Sequence, residues 1–432
     1  MRALKLFGPV ALPRQCQQFF EILGPGLITG AADDDPSGIS TYSVAGATTG
    51  FSMLWLTLIA TPMMAVIQGM SARIAMVTGE GLAAVMRKRF ALPLAYALAC
   101  IVIVANTFNV GADLGGMADA AHLILPLPVD AWVFFFGVGL VAAQIWLPYA
   151  LLARIFKWLT LSLFAYVVTA FIVHVPWLEV LHRFVVPEIH PDSGWLSTMV
   201  GVLGTTITPY LFFWQASLMV EEEKEAGNTT LSERRGTDEA SVRTMHADVN
   251  IGMIFSNLVA FFIIVTTAAT LGAHGKHDIA TAQEAAQALR PLAGRFAELL
   301  FTLGMVGTGI LAVPVLAGSS AYVAAQTFRF REGLGEPVHR APRFYGVIAA
   351  GVLIGIAMNL LRIDAIKALF WSAVLNGIAA VPLIAAIVYL ASNRSIMGEW
   401  RSSIAARIWG WGTFALMGAA TAGMFYFMAK PQ

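Results

Sequence analysis

Charge is what this sequence has least of. Only 12% of its 432 residues are Asp, Glu, Lys or Arg, against about 25% in a soluble domain. The length alone would suggest several soluble domains, but a chain that is 58% hydrophobic cannot be a string of them. It reads instead as an all-α protein that crosses the membrane many times. Cysteine is nearly absent too. Cys16 lies in an N-terminal tail and Cys100 in an apolar stretch, which excludes a disulfide framework and a Cys-based zinc site. There is no His-Glu-x-x-His, no Gly-x-Ser-x-Gly and no phosphate-binding loop, so the chain offers nothing for an enzyme reading. It carries no low-complexity linker and no nucleic-acid motif. Residues 1–18 hold a short apolar run broken by Pro9 and Pro13, so no cleavable signal peptide is expected.

Long apolar runs, by contrast, fill the chain. About eleven are long enough to span a bilayer: residues 20–47, 51–77, 92–121, 131–150, 156–175, 196–220, 245–273, 296–328, 345–361, 365–391 and 405–428. The connecting segments alternate in charge. With the N-terminus inside, the inner segments carry about three times as many Lys and Arg as the outer ones, as the positive-inside rule requires. Arg87, Lys88 and Arg89 sit on the inner side; Arg183 and Lys276 sit on the outer. The expected arrangement is one transmembrane domain over residues 1–432 in the inner membrane, with the N-terminus cytoplasmic and the C-terminus external.

The first span is interrupted by Asp33-Asp34-Asp35-Pro36-Ser37-Gly38. A central acidic residue costs about 2.5–3.5 kcal/mol on insertion scales, a cost without return in packing. Proline removes a backbone donor and breaks the helix. Free carbonyls at membrane depth are tolerated only inside protein or along a wet cavity. Carboxylates beside free carbonyls make an oxygen-rich cation site.

The sixth span has its own break, at Gly204-Thr205-Thr206-Ile207-Thr208-Pro209-Tyr210. The two breaks lie five spans apart, and an odd repeat length inverts the second copy in the membrane. Paired interrupted helices in inverted halves point to a secondary-transporter site at the midplane. Helices 1–5 (about 20–175) and 6–10 (about 196–391) would be the repeats, with helix 11 (about 405–428) appended.

Gly24-Pro25-Gly26, Asp35-Pro36, Ser71-Ala72-Arg73 with Val77-Thr78-Gly79, and Asp113-Leu114 resemble the first three helices of the NRAMP divalent-metal transporters. Thr208-Pro209 stands where that family has Met-Pro-His in its sixth helix. The resemblance implies a LeuT-type 5+5 inverted repeat with broken helices 1 and 6. The departures from the family pattern carry information. The family's Asp-Pro-Gly-Asn is Asp35-Pro36-Ser37-Gly38 here, so the amide ligand is missing at Gly38. The metal-binding methionine is replaced by Thr208, the sixth-helix histidines by Tyr210 and Gln215, and a third-helix acidic residue by Gly116. The histidines and the acidic residue are associated with proton movement, and their loss argues against proton coupling. Hydroxyl and carboxylate oxygens suit Mg and Mn, whereas thioethers suit softer metals. The pattern most resembles the bacterial NRAMP-related magnesium transporters.

The candidate metal ligands are therefore Asp35, Asp34, Thr208 and, through their carbonyls as the resemblance implies, Ala32 and Thr205. Asp33, Asp113, Tyr210, Gln215 and Gly38 are expected along the path or behind the ligands. Each has a plainer role as well. Asp35 can cap the second half-helix, and three successive aspartates fan over about 200° of a helix. Thr208 can bond its own backbone. Asp113, Tyr210 and Gln215 can serve as interhelical hydrogen bonds, as can Asn106, Asn109 and Asn376. His174, His182 and His190 read as solvated loop residues, and Trp146, Trp177, Trp195 and Trp371 as interface residues. The expected activity is alternating-access transport of a hard divalent cation, Mg²⁺ or Mn²⁺, as substrate. No resident cofactor, obligate protein partner or nucleic acid is expected. A proton-coupled Mn²⁺/Fe²⁺ symporter is the alternative, with an amino-acid transporter of the same fold behind it.

Overall fold

The computed structural model describes residues 30, 33–147, 162–276, 279, 281–361 and 363–430. They are helical, with no strand among them. The principal helices are α1 (Pro36–Thr49), α2 (Leu54–Thr78), α3 (Leu92–Ile124), α4 (Val129–Trp146), α5 (Phe164–Ile172) and α6 (Ser193–Thr206). They continue as α7 (Pro209–Glu225), α8 (Glu239–Thr270), α9 (Ala297–Phe328), α10 (Pro342–Asn359), α11 (Ala365–Ser392) and α12 (Ile404–Ala429). Among the described residues nine helical segments are long and apolar enough to cross a membrane. The first, fourth and fifth expected spans fall partly outside the described residues.

Both expected breaks are present, with local causes. Asp35 is extended at φ −68°, ψ 171°, and caps α1, where Pro36 occupies the first turn and needs no hydrogen-bond partner. Between α6 and α7, Ile207 and Thr208 leave helical geometry (ψ 64° and 131°), and Pro209 restarts the helix. Asp192 caps α6 and Asp238 caps α8, each accepting a backbone N–H from three residues on. The span pattern did not anticipate the short surface helices Leu82–Arg89 and Trp177–Val185.

Burial divides into two apolar cores. One gathers side chains from α1, α2, α6, α8, α11 and α12. The other joins α3, α4, α9 and α10 with Tyr210, Leu211 and Trp214 of α7. The outer surface stays apolar, as a lipid-facing surface must: Phe135 is 64% exposed and Ile408 67%. Trp146 and Trp371 join this surface. Trp195 does not; it is buried, with its indole N–H 3.4 Å from the Ser52 hydroxyl, because α6 lies in the centre of the bundle.

Small residues set the closest crossing. A Cβ on Gly204 of α6 would lie 2.1 Å from the Ala373 carbonyl oxygen, and one on Gly377 of α11 would lie 2.5 Å from the Val200 carbonyl oxygen. The two backbones touch with no side chain between them, the packing that small residues allow in membranes.

Candidate metal site

The site forms where the two broken helices meet α3 and α8. Asp33, Asp34 and Asp35 are each no more than 1% exposed. Their side chains take different directions, as the helical fan requires. Asp33 accepts from the Thr208 hydroxyl at 3.2 Å and the Ser256 hydroxyl at 2.7 Å. Asp34 Oδ1 lies 3.1 Å from the same Ser256 hydroxyl, and its Oδ2 is sealed without a hydrogen-bond partner. Asp35 turns the other way. Its Oδ1 accepts from the Ser37 hydroxyl at 2.6 Å and the Gly38 N–H at 2.7 Å, and its Oδ2 accepts from the Asn109 amide at 2.9 Å. Asp35 thus takes the capping role in this state, with both oxygens supplied.

Thr208 begins α7 without capping it; its hydroxyl crosses to the first break. Thr205 is fully buried and its hydroxyl has no hydrogen-bond partner. A Cβ on Gly38 would lie 3.1 Å from that hydroxyl oxygen and 3.5 Å from Asp35 Oδ1. The glycine therefore sits close against both, and a side chain there would crowd the Thr205 hydroxyl. Ala32 lies outside the described residues. Tyr210 and Gln215 are fully buried in α7.

Asp113 connects to the site through Asn109. The Asn109 amide nitrogen lies 2.9 Å from Asp35 and 3.4 Å from Asp113. Its oxygen accepts from Asn376 of α11 at 3.3 Å. One amide thus couples α1, α3 and α11. Two residues of this site, Ser256 and Asn109, escaped the reading of the sequence as ligand-side groups. Asn109 left a signal, since it stands four residues before Asp113 and so shares its helix face. Ser256, a single hydroxyl in an apolar helix, left none.

Among the described residues, no three His, Cys, Asp or Glu side chains are grouped to hold a metal between them. Any ion here would draw on hydroxyls, carbonyls and water beside one or two carboxylates. At one face of the bundle, a cavity of about 330 Å³ is lined by Asp119, Asp130, Asp364 and Asn359 and reaches Gly115, two residues from Asp113. Toward the other face, Gln326 of α9 accepts from the Ala83 N–H at 3.2 Å and donates to Ser217 of α7 at 3.3 Å. It also donates to Glu332 at 3.4 Å. Glu332 is only half-buried as a residue, but its Oε2 is sealed from solvent. Burial pushes its carboxyl up to about 7, against the opposing pull of Lys224. His174, His182 and His190 are exposed; His182 lies in the short helix Trp177–Val185 and not in a loop, and His190 pairs with Glu188.

A family profile described as "Natural resistance-associated macrophage protein-like" matches residues 26–427. The chain belongs to the Nramp family. An Nramp relative from Verminephrobacter eiseniae, "Divalent metal cation transporter MntH", is 27% identical over 400 residues, which is 90% of this chain and 85% of that protein. Among solved structures, a manganese transporter of Eremococcus coleocola superposes with a TM-score of 0.74 at 16% identity. The match covers 100% of this chain and 92% of that one. The nucleobase-cation-symport-1 transporter Mhp1, in a closed conformation, gives 0.51 at 14% identity over 93% of both chains. The fold is the LeuT-type arrangement that the spacing of the two breaks implied. This Nramp protein is a membrane transporter and not an enzyme.

Two departures from the Nramp pattern now have surroundings. The Gly116 position faces Leu369 and Met305, with a Cβ there only 2.6 Å from Leu369 Cδ1. No acidic side chain would fit without repacking. Position 208 faces Asp33 with a hydroxyl, where the family places a thioether.

Proposed function

We propose that this protein carries a hard divalent cation, Mg²⁺ or Mn²⁺, by alternating access and without proton coupling. One observation carries this reading. Among the described residues, the side chains bonded to the three aspartates are hydroxyls and an amide: Ser37, Thr208, Ser256 and Asn109. Oxygen donors favour Mg and Mn over soft transition metals. Mg²⁺ gives up its waters reluctantly and binds through few carboxylates, which suits hydroxyls beside one or two aspartates. Asp33 and Asp34 with Thr208 would face the ion, Ser256 would hold the two carboxylates until the ion takes its place, and the carbonyls of Ala32 and Thr205 would complete the shell. Asp35 would act through Asn109 until its cap opens, and Asp113, Tyr210 and Gln215 would line the path.

The ion is the substrate, and the reading includes no resident cofactor or obligate protein partner. The Lys and Arg bias supports an inner-membrane orientation with the N-terminus cytoplasmic and the C-terminus external, residues 1–432 acting as one transport domain. A divalent ion then gains about 4.6 kcal/mol on moving inward at about −100 mV, so accumulation needs no proton. The relatives named as divalent-metal and manganese transporters favour Mn²⁺ as a second cargo.

The test is Mg²⁺, Mn²⁺ and Cd²⁺ influx into proteoliposomes with internal pH followed alongside, in the wild type, Asp33→Ala and Asp35→Ala. Aspartate-dependent Mg²⁺ influx without acidification is expected. Cd²⁺ influx with acidification and no Mg²⁺ flux would overturn the proposal in favour of a proton-coupled symporter.

A further inference from the structure

Away from the ion path, at the face bearing the Lys- and Arg-rich loops, a cavity of about 280 Å³ opens beside the end of α2. Glu80, Lys88, Arg89, Arg235 and Ser395 line it together with Thr78. Its charges do not cancel. Lys88 Nζ holds both oxygens of Glu80, at 2.5 and 2.6 Å. Among the described residues no carboxylate pairs with Arg89 or Arg235.

The cavity is built by the fold. Arg234 donates to the carbonyls of Gly79 and Thr229, and the Gly236 N–H bonds the Val77 carbonyl at 3.2 Å. These contacts pin the loop to α2 and hold Arg235 over the pocket. Arg89 ends the surface helix Leu82–Arg89, and the next residue, Phe90, packs its ring 5.7 Å from Tyr389. Tyr389 is 50% exposed and Leu92 48%. An apolar rim therefore leads from the basic pocket onto the outer surface of α3 and α11.

We infer that this pocket binds a phosphate group, that of an anionic glycerophospholipid seated with its acyl chains along Phe90, Tyr389 and Leu92. Guanidinium forks match phosphate oxygens, and the inner leaflet supplies anionic headgroups. The lipid would tie the loops after α2, α7 and α11 together. This inference rests on the membrane orientation proposed above and not on which ion is carried.

Native mass spectrometry of the detergent-purified protein tests it, with phosphatidylglycerol, phosphatidylcholine and inorganic phosphate as probes. The wild type is expected to retain phosphatidylglycerol over phosphatidylcholine. Arg89→Gln/Arg235→Gln is expected to weaken that retention about 30-fold, since each basic group near an anionic surface contributes about fivefold. Arg89→Lys/Arg235→Lys should restore most of it, and Arg295→Gln, on the opposite face, should change nothing. If inorganic phosphate binds with the same arginine dependence and displaces the lipid, the phosphate site stands and its occupant is free phosphate. Should the double variant fail to fold, Ser395→Asp places a repelling charge in the same pocket and is expected to lose phosphatidylglycerol. Equal retention of phosphatidylglycerol in all variants, or no preference over phosphatidylcholine, overturns the inference. Ion flux is measured separately, so a failed transport proposal leaves this result readable.

Discussion

Ser256→Ala separates two roles that one hydroxyl can play. Ser256 faces Asp33 at 2.7 Å and Asp34 at 3.1 Å. It has a single hydrogen to give, so it serves one carboxylate at a time and the other relies on proximity. A hydrogen bond to a carboxylate contributes about 1.5–3 kcal/mol, so the variant should lose about 2 kcal/mol in the ion-free state. Unfolding entropy of about 2.1 cal/mol/K per residue makes that a fall of about 2 °C in Tm. A bound divalent ion would take over the donor's task, leaving the loaded forms of variant and wild type nearly equal. The ion-induced rise in Tm should therefore be larger in Ser256→Ala, and apparent Mg²⁺ affinity about 30-fold tighter. Differential scanning fluorimetry over a Mg²⁺ titration measures both quantities. An unchanged ion-free Tm together with a smaller ion-induced rise would refute the reasoning and make the hydroxyl itself an ion contact.

Thr208→Met restores a thioether against Asp33 and should raise Cd²⁺ influx relative to Mg²⁺ about tenfold or more, measured in the same vesicles, because softer metals gain most from sulfur. Asn109→Ala removes the amide shared by Asp35 and Asp113 and leaves buried oxygens without a donor; a stability loss of about 1–3 kcal/mol and reduced flux of every ion are expected, read by thermal unfolding and uptake. Glu332 gives a pH signature. Its folded pKa of about 7 lies above the ordinary 4.5, so its contribution to stability is fully present below about 4.5 and is lost as pH rises toward 7. Tm should therefore fall across that window, and Glu332→Gln should flatten that part of the slope.

How much of this could be read from the chain depends on where the signal is written. Helix breaks are covalent facts: Pro36 and Pro209 cannot continue the helices that precede them, so both sites of interruption stand in the sequence. The spacing between them carried the inverted topology. Asp33 to Asp35 stood out because carboxylates are rare at membrane depth. Their division of labour did not, since it depends on how α1 unwinds and on which helix faces each oxygen. Asp35 was the foremost ligand candidate, yet in this state it is a saturated cap, while the unpartnered oxygen belongs to Asp34. Ser256 was illegible for a related reason. A hydroxyl in an apolar helix is common, and only the α1–α8 crossing gives it two carboxylates. Trp195 was misplaced because a sequence shows nearness to a span's end but not whether that span lies at the rim or the centre of the bundle.

The contact between Gly204 and Gly377 has a mechanical meaning. Two helices that touch backbone to backbone have no compliant layer to shear. A slide of one residue's rise, about 1.5 Å, would drive the carbonyl of Ala373 into α6. The pair must therefore travel as one rod. α7 is fastened elsewhere: Gln68 of α2 donates to the Leu211 carbonyl at 3.0 Å, and Ser319 of α9 donates to the Tyr210 carbonyl at 3.0 Å. The two halves of the broken sixth span thus hold different neighbours, and Ile207–Thr208 is the joint between them. Because Thr208 also reaches Asp33, bending that joint changes the ion site in the same stroke.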